Sequence, residues 1–359
     1  MTRDYAPLRA LFTDAGYAFV EPPLLFDASV FVELAGEDLR RRLFLSTAAD
    51  GTELALRPDY TIPVCLQHLA SGKARRRANY AYLGPVFRQR RDEPGEFLQA
   101  GVESLGRTDR ALADADMLKL ALSAVATLGV AAPAVRIGDS ALFAAVLQSL
   151  DLAEPWRRRL ARAFGDRDRL KALLARLASG AKAPALPDGV PAGKPAALRR
   201  AVSDMLLATG LATVGGRDAG EIAARFAEKA ELARGNRHAP KVLTKFLAIA
   251  GAPRRAAAAV RRLAAAEKPD LDAALGDFET RLDNFARDRL DLSKLAFAAD
   301  FGRRLDYYTG FVFEMYGRED KKPIVGGGRY DRLLSLIGAG GPVPAVGFAI
   351  WLDRIGAAR

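Results

Sequence analysis

The sequence contains very little cysteine and histidine. One cysteine, Cys65, and two histidines, His68 and His238, occur among its 359 residues. A single cysteine cannot form an internal disulfide bond, and three such side chains are too few for a zinc site built from cysteine and histidine. Cys65 is interpreted as a small buried residue and not as a nucleophile. The sequence therefore predicts no metal site.

Long apolar segments are also absent. No run of about eighteen uncharged apolar residues occurs, which is the length that a membrane-spanning helix requires. The first residues lead into an amphipathic pattern and do not resemble a secretion signal. Half of the residues are apolar, so the chain can form a substantial core. These features predict a globular protein that lies in the cytoplasm and not in a membrane.

Acidic residues are fewer than basic ones. The 43 aspartates and glutamates stand against 54 lysines and arginines, and the formal net charge is +11. This charge suits a polyanionic partner such as tRNA, ATP or a phosphorylated sugar, but it does not choose among them. Arginine triplets at 40–42, 75–77 and 157–159 lie far apart, and no aromatic residues alternate with them as in a single-strand binding surface. We interpret them as solvated surface, and nucleic acid is not the expected partner.

Hydrophobic periodicity divides the chain into three parts. Strand patterns occur early and late in the sequence, at Tyr17–Val20, Leu43–Ser46, Glu53–Leu56, Asn79–Phe87, Gly101–Leu105, Ala134–Ile137, Leu295–Ala299, Phe311–Met315 and Val346–Ile350. Between them leucines recur at helical spacing. One predicted helix, for example, has Asp168 as its N-terminal cap and ends at Gly180. We predict an α+β domain formed by residues 1–139 and 295–359, with a helical insertion at 140–294.

Several short motifs follow one another in a characteristic order. They are Pro22-Pro23, Leu56–Thr61, Gly84–Arg88, Gln99-x-x-x-Glu103, Asp306-Tyr307-Tyr308, Gly326–Asp331 and Val346–Arg354. None is specific alone, since a glycine triplet such as 326–328 either lets the chain approach another backbone closely or forms a tight turn. In this order they resemble the catalytic domain of class II histidyl-tRNA synthetases. The resemblance implies an antiparallel sheet flanked by helices, and we expect no anticodon-binding domain.

The same resemblance implies a histidine-binding pocket. Its expected residues are Asp59, Thr61, Gln99, Glu103, Arg303, Tyr307 and Tyr308. By analogy with the family, Asp59 and Gln99 hold the amino group of the ligand with help from Thr61. A carboxylate and an amide are suitable partners for an ammonium group, and charge-assisted hydrogen bonds are the stronger ones.

The remaining pocket residues are expected to bind the other two groups of histidine. The resemblance places Glu103 and one of the two tyrosines at the imidazole, and it places Arg303 at the carboxylate. On a regular strand Tyr307 and Tyr308 would point to opposite faces, so only one would line the pocket unless the backbone bends. Arg304 stands where the family has glycine, which narrows the expected entrance.

A nucleotide site is expected beside this pocket, but in a damaged form. Arg88 and Arg354 match the two arginines that hold the triphosphate in the synthetases. Arg90 replaces the acidic residue that accepts a hydrogen bond from adenine, and Trp351 replaces a glycine that leaves room for the nucleotide. We therefore predict that the chain does not form an adenylate.

A histidine pocket beside a damaged nucleotide site resembles the regulatory subunits of ATP phosphoribosyltransferase. The resemblance implies an allosteric subunit without catalytic residues or cofactor. It would activate a short-form catalytic subunit in the first step of histidine biosynthesis and mediate feedback inhibition by L-histidine. A homodimer within a hetero-oligomer is expected, paired through the strand that ends at Pro22-Pro23. Two alternatives stay open, namely a truncated histidyl-tRNA synthetase-like adenylate-forming ligase and a scaffold with a vestigial pocket.

Overall fold

The computed structural model describes residues 4–72, 74–91, 93–180, 195–209, 217–267, 269–303, 307–317 and 322–355. Contacts between Cα atoms divide the chain into two units, one of Met1–Phe143 with Ala248–Arg359 and the other of Ala144–Leu247. The boundaries predicted at residues 139 and 294 stay a prediction. Arg304 lies outside the described residues, and so does Asp306.

The described residues form twelve strands. These are β1 (Ala18–Phe19), β2 (Leu25–Asp27), β3 (Leu45–Thr47), β4 (Glu53–Leu56), β5 (Ala78–Phe87), β6 (Glu96–Leu105), β7 (Ala134–Asp139), β8 (Ala250–Gly251), β9 (Leu295–Ala298), β10 (Phe311–Tyr316), β11 (Val325–Arg329) and β12 (Ala345–Trp351). Every predicted strand overlaps one of them. β2, β8 and β11 were not predicted as strands, since two are very short and the third is rich in glycine.

The helices of the described residues account for most of the chain between β7 and β9. They are α1 (Ala6–Asp14), α2 (Ala28–Arg40), α3 (Thr61–Ala70), α4 (Arg110–Thr127), α5 (Ser140–Ser149), α6 (Glu154–Arg162), α7 (Arg167–Ser179), α8 (Pro195–Ala208), α9 (Ala219–Ala233), α10 (His238–Leu247), α11 (Pro253–Glu267), α12 (Asp272–Arg287) and α13 (Leu333–Leu336). α7 ends at Gly180 as predicted, but its cap is Asp166, which accepts from the Arg169 amide. Asp168 lies inside the first turn, where a carboxylate also favours the helix dipole.

The larger sheet belongs to the first unit and has nine strands in the order β1-β5-β6-β12-β11-β10-β7-β9-β8. Neighbouring strands are antiparallel except for the pairs β1–β5 and β7–β9, which are parallel. The sheet is therefore mainly antiparallel, as predicted, and the two parallel pairs make it mixed. Parallel neighbours need a crossover connection, and the long helical segment between β7 and β9 supplies one. The predicted α+β class is confirmed.

The glycine triplet at 326–328 is part of strand β11 between β10 and β12. The tight turn is therefore wrong, whereas the close approach to another backbone that the triplet allows is found on both sides of this strand. A Cβ atom on Gly327 would lie 2.6 Å from the carbonyl oxygen of Gly347 and 2.7 Å from the ring of Phe313. Only glycine fits a strand whose neighbours approach so closely. This narrow strand leaves space on the sheet for larger side chains from elsewhere in the chain.

Each unit has its own apolar core. In the first unit one cluster joins α2 and the three-stranded sheet β2-β4-β3 to buried residues that include Tyr307 and Tyr330. In the second unit Leu198 and Val202 of α8 pack with Ala223 of α9. Among the described residues, no helix has both the length and the apolar character needed to cross a bilayer.

A buried ion network connects two helices with the sheet in the first unit. Nε of Arg281, on α12, donates to Asp114 of α4 at 2.8 Å, and its Nη1 donates to Asp139 at the end of β7 at 2.6 Å. Arg329 of β11 lies 2.6 Å from the other oxygen of Asp114 and also pairs with Asp331 at 2.9 Å. All of these groups are largely removed from water. The network holds the end of β11 and the residues that follow it in place.

Candidate amino-acid binding site

Strand β6 and the start of α3 place three of the predicted residues together. Residues 99, 101 and 103 share a face of β6 because side chains alternate along a strand. Oγ1 of Thr61 donates to Oε1 of Glu103 at 2.8 Å. Oδ1 of Asp59 accepts from the amide of Ile62 at 3.4 Å, so this carboxylate also supports the start of α3. Asp59, Thr61 and Glu103 therefore line one buried region.

Glu103 accepts hydrogen bonds from two tyrosines that were not predicted. The hydroxyl of Tyr82 donates to Oε1 at 3.3 Å, and the hydroxyl of Tyr330 donates to Oε2. Burial raises the pKa of Glu103 to about 8, although the hydroxyl groups of Tyr330 and Thr61 oppose the shift. The sequence signal for Tyr330 is its place in the Gly326–Asp331 motif, which was not assigned to the histidine pocket. Tyr82 had no signal, because its position depends on the pairing of β5 with β6.

Asp59 has a cationic neighbour, Arg88. Burial raises the pKa of the Asp59 carboxyl, and the nearby charge of Arg88 opposes this effect. Burial also lowers the pKa of Arg88, whose Nε donates to the carbonyl oxygen of Pro58. Arg88 was predicted for the nucleotide site, but it lies beside a residue of the predicted histidine pocket.

Tyr307 lies in a turn and Tyr308 in the irregular segment after it, so neither is on a strand. Their ring centres are 4.9 Å apart, and burial raises the pKa of both hydroxyl groups. The carboxylates of Asp59 and Glu103 contribute to the shift in both tyrosines. The expected alternation of faces therefore does not apply, and both side chains reach the same region.

Arg303 is held between this region and Trp351. Its Nη1 donates to the hydroxyl of Tyr308 at 3.2 Å, and its Nε lies 3.7 Å from Glu314. The guanidinium carbon is 5.7 Å from the centre of the Trp351 ring. It also packs against Gly326, where any Cβ atom would overlap it. The glycine-rich strand thus provides the space that Arg303 occupies.

Gln99 is buried without hydrogen-bond partners for its side chain. It is 1% exposed, and within the described part of the chain neither Oε1 nor Nε2 has a partner. A buried polar group without a partner costs about 1–3 kcal/mol, so such groups are rare unless a ligand satisfies them. Gln99 is therefore the strongest single indication of a polar ligand here.

The side chains predicted for the damaged nucleotide site are occupied by other contacts. Arg90 pairs with Asp353 at 2.9 Å, and its guanidinium carbon lies 3.8 Å from the ring centre of Phe97. Trp351 is 6% exposed and belongs to an aromatic and aliphatic cluster that includes Phe97. Nη1 of Arg354 donates to the carbonyl oxygen of Pro323 at 2.8 Å. The Trp351 indole thus fills the space that an adenine ring would need. Arg90 carries hydrogen-bond donors where adenine would need an acceptor.

Comparison with known proteins agrees with the motif order and the fold. The family model for histidyl-tRNA synthetase matches residues 5–214 and 213–355. ATP phosphoribosyltransferase regulatory subunits from Brucella ovis and Brucella melitensis biotype 1 are both 43% identical over 347 residues, which is 94% of this chain and 92% and 91% of theirs. The chain belongs to this family of regulatory subunits. Family membership confirms the predicted resemblance, and it agrees with the predicted non-catalytic role.

Solved structures support the fold of this family member. A structure from Bacillus halodurans, described as an ATP phosphoribosyltransferase regulatory subunit/histidyl-tRNA synthetase, aligns with a TM-score of 0.71 and 24% identity over 98% of this chain and 77% of that chain. Histidyl-tRNA synthetase from Nostoc sp. PCC 7120 aligns with a TM-score of 0.64 and 18% identity over 98% and 69%. The predicted class II synthetase-like core is confirmed.

Proposed function

We propose that this chain is the regulatory subunit of an ATP phosphoribosyltransferase complex. In this proposal it activates a short-form catalytic subunit and transmits feedback inhibition by L-histidine in the first step of histidine biosynthesis. Membership in the regulatory-subunit family supports the general role. The observation that carries the histidine site is the unpaired, buried amide of Gln99, which lies on the same face of β6 as Glu103.

Histidine matches the chemistry of this region group by group. Its ammonium suits Asp59 and Gln99, and its carboxylate suits Arg303. A Glu103 carboxyl with a pKa of about 8 is mostly protonated at pH 7, so it can donate a hydrogen bond to an imidazole nitrogen. In this proposal Tyr307 or Tyr308 also contacts the ring through its hydroxyl group. An amino acid without a polar ring would leave these buried groups unpaired.

The regulatory effect must then come from a preference for one conformation of the partner. A ligand or subunit shifts an equilibrium only by its difference in affinity for the two states. Adenylate formation is not proposed, since Arg90 and Trp351 replace the acceptor and the free space that adenine would need. We further propose a cytoplasmic location and a homodimer within the hetero-oligomer. The position of β1 at the edge of the nine-stranded sheet supports this pairing.

The partner assay is expected to show activation by this chain. A short-form catalytic subunit should turn over faster when the chain is added, and L-histidine should reverse the gain because it favours the inactive state of the complex. Steady-state rates with and without the chain, with histidine titrated into both, measure this. Equal rates and equal histidine sensitivity of the catalytic subunit with and without the chain would contradict the proposal.

The chain alone should sediment as a dimer. It should also show only background histidine-dependent exchange of pyrophosphate into ATP.

Substitutions in the candidate site should weaken histidine binding. Arg303→Ala and Glu103→Ala are each expected to raise the dissociation constant by roughly tenfold or more. The first removes the cationic partner of the ligand carboxylate, and the second leaves an imidazole nitrogen without its buried hydrogen-bond partner. Calorimetric titration of the complex measures the change. Arg254→Ala is the matched control, because Arg254 forms an exposed pair with Asp283 away from the site. If both site variants bind histidine like the control, the histidine site lies elsewhere.

A further inference from the structure

Arg57 is a buried arginine that donates its hydrogen bonds to neutral oxygen atoms. Its side chain is 1% exposed. Its Nη1 donates to the carbonyl oxygen of Pro22 at 2.5 Å and lies 3.4 Å from that of Pro23. Its Nε donates to the carbonyl oxygen of Pro85 at 2.9 Å, and its Nη2 donates to the hydroxyl of Tyr60 at 2.6 Å. Burial lowers the pKa of Arg57, because a charge away from water is costly.

These contacts fix the course of the chain at residues 22–23, which we call the proline segment. The segment leads from β1, at the edge of the nine-stranded sheet, to β2 of the small sheet. A guanidinium is a rigid fork, so its donors hold several carbonyl oxygens in one relative arrangement. The best attested use of a buried polar group is to fix one arrangement of the chain, since it contributes little net stability. Arg57 is therefore a positional anchor for the proline segment.

Two stacked tyrosine rings join Arg57 to the candidate site. The guanidinium carbon of Arg57 lies 4.1 Å from the centre of the Tyr60 ring. The rings of Tyr60 and Tyr82 stack with their centres 4.3 Å apart and their planes 4° from parallel. The Tyr82 hydroxyl lies 3.3 Å from Oε1 of Glu103 and 3.2 Å from the carbonyl oxygen of Phe348. A continuous chain of contacts thus connects the proline segment with the Glu103 carboxyl.

Two glycines leave the space that these rings need. A Cβ atom on Gly84 would overlap the Tyr60 hydroxyl and lie 3.3 Å from Nη2 of Arg57. A Cβ atom on Gly101 would lie 2.5 Å from the Tyr82 hydroxyl oxygen. Because the rings are packed this closely between the strands, a shift of one ring moves the other.

We propose that Arg57 is a positioning residue that couples the proline segment to Glu103 through the stacked rings of Tyr60 and Tyr82. Arg57 places the first ring, the first ring places the second, and the hydroxyl of the second sets the hydrogen bonding of the carboxyl. The proposed homodimer pairs through the strand that ends at the proline segment, so a change in that pairing reaches the pocket by this route. The functional meaning of the coupling rests on the proposed histidine site and homodimer.

The ionisation of Glu103 reports the position of the Tyr82 hydroxyl. The other groups that interact with Glu103 are Asp59, Thr61, Cys65, Tyr307, Tyr308 and Tyr330. The hydrogen bond from Tyr82 favours the ionised carboxylate. Loss of that contact, with the other groups unchanged, should therefore raise the pKa of Glu103 further above its ordinary value.

The test follows this pKa in the full chain without ligand. NMR of isotope-labelled glutamate side chains measures it, and Glu103→Gln identifies the signal. Tyr82→Phe should raise the pKa by about half a unit or more, because it removes the hydroxyl. Arg57→Lys keeps the charge but loses the planar fork, and it should raise the pKa similarly. The two substitutions together should raise it no further than Tyr82→Phe alone, because they act in series.

Arg261→Lys is the matched control, since Arg261 forms an exposed pair with Glu279. It should leave the pKa of Glu103 unchanged. Tyr60→Phe replaces Arg57→Lys if that variant does not fold, because it removes only the hydroxyl that accepts from Arg57 and keeps the ring. A purely structural role would lower the stability without moving this pKa. An unchanged pKa in the folded variant, or additive shifts when it is combined with the loss of the second hydroxyl, would overturn the proposal.

Hydrogen exchange tests the other end of the chain of contacts. Arg57→Lys should speed exchange of the backbone amides in residues 18–27 severalfold, since the proline segment loses its anchor. Tyr82→Phe and Arg261→Lys should leave this exchange at the wild-type rate. Wild-type exchange in Arg57→Lys, or in Tyr60→Phe where it takes its place, would overturn the link to the proline segment.

Titration with L-histidine separates this inference from the proposed function. Arg57→Lys and Tyr82→Phe should weaken histidine binding by similar factors and shift its pH profile in the same direction. Weaker binding by Tyr82→Phe together with wild-type binding by Arg57→Lys would overturn the coupling. A wild type that binds no histidine would contradict the proposed function instead, and the pKa of Glu103 in the free protein would still decide whether Arg57 positions this carboxyl.

Discussion

Replacing Arg281 with methionine is expected to lower the free energy of unfolding by about 3–5 kcal/mol. The methionine keeps an apolar stem but leaves Asp114 and Asp139 buried with less compensating charge. Asp114 retains Arg329, whereas no other cation pairs with Asp139 among the ion pairs of the described residues. An uncompensated buried carboxylate is far more costly than a lost surface pair. Urea unfolding of the purified variant measures the change.

Arg261→Met is the matched control for this experiment. Arg261 pairs with Glu279, but its side chain is 65% exposed. An exposed pair of this kind contributes at most about 1 kcal/mol, because water screens both charges. Adding Asp139→Asn to Arg281→Met should recover part of the lost stability, since it removes the unpaired charge. Equal losses for Arg281→Met and the control would show that the buried network contributes little.

The stability of the wild type is expected to fall with rising pH in a window that Glu103 defines. Burial raises the pKa of Glu103 from 4.5 to about 8. Between these two values the folded protein keeps a proton on Glu103 that the unfolded chain has lost. The contribution of Glu103 to stability is therefore highest below about pH 4.5, decreases through the window and is lost above about pH 8. One proton corresponds to about 1.4 kcal/mol per pH unit.

Comparison with Glu103→Gln isolates this contribution. The amide keeps the size of the side chain and cannot ionise. Asp59 also has a raised pKa, so the wild type alone would combine two effects in the same direction. Urea unfolding of both proteins at pH 5, 6, 7 and 8 should give curves that diverge by roughly 2–3 kcal/mol between pH 5 and 7. Parallel curves would mean that Glu103 titrates near its ordinary value.

The sequence by itself was sufficient for the family and for most strands. Strands such as β5 and β6 can be predicted from the local pattern of apolar and polar residues. The order of the motifs is a property of the sequence and can be recognised without knowledge of the fold. The types of residue expected at the histidine site could be predicted for the same reason. Whether those residues bind histidine stays a prediction, since it depends on a ligand.

Only the tertiary structure decided which side chains meet. The contacts of Glu103 with Tyr82 and Tyr330 depend on strand register and on the end of β11, and both join residues far apart in sequence. The glycine-rich segment at 326–328 is a strand because its neighbours on both sides pair with it, which no local pattern indicates. The carboxylate of Glu93 was not singled out, since its cationic neighbours Arg90, Lys322 and Arg354 come from segments that are adjacent only after folding. Local sequence encodes local conformation, whereas pairing and burial are properties of the assembled sheet.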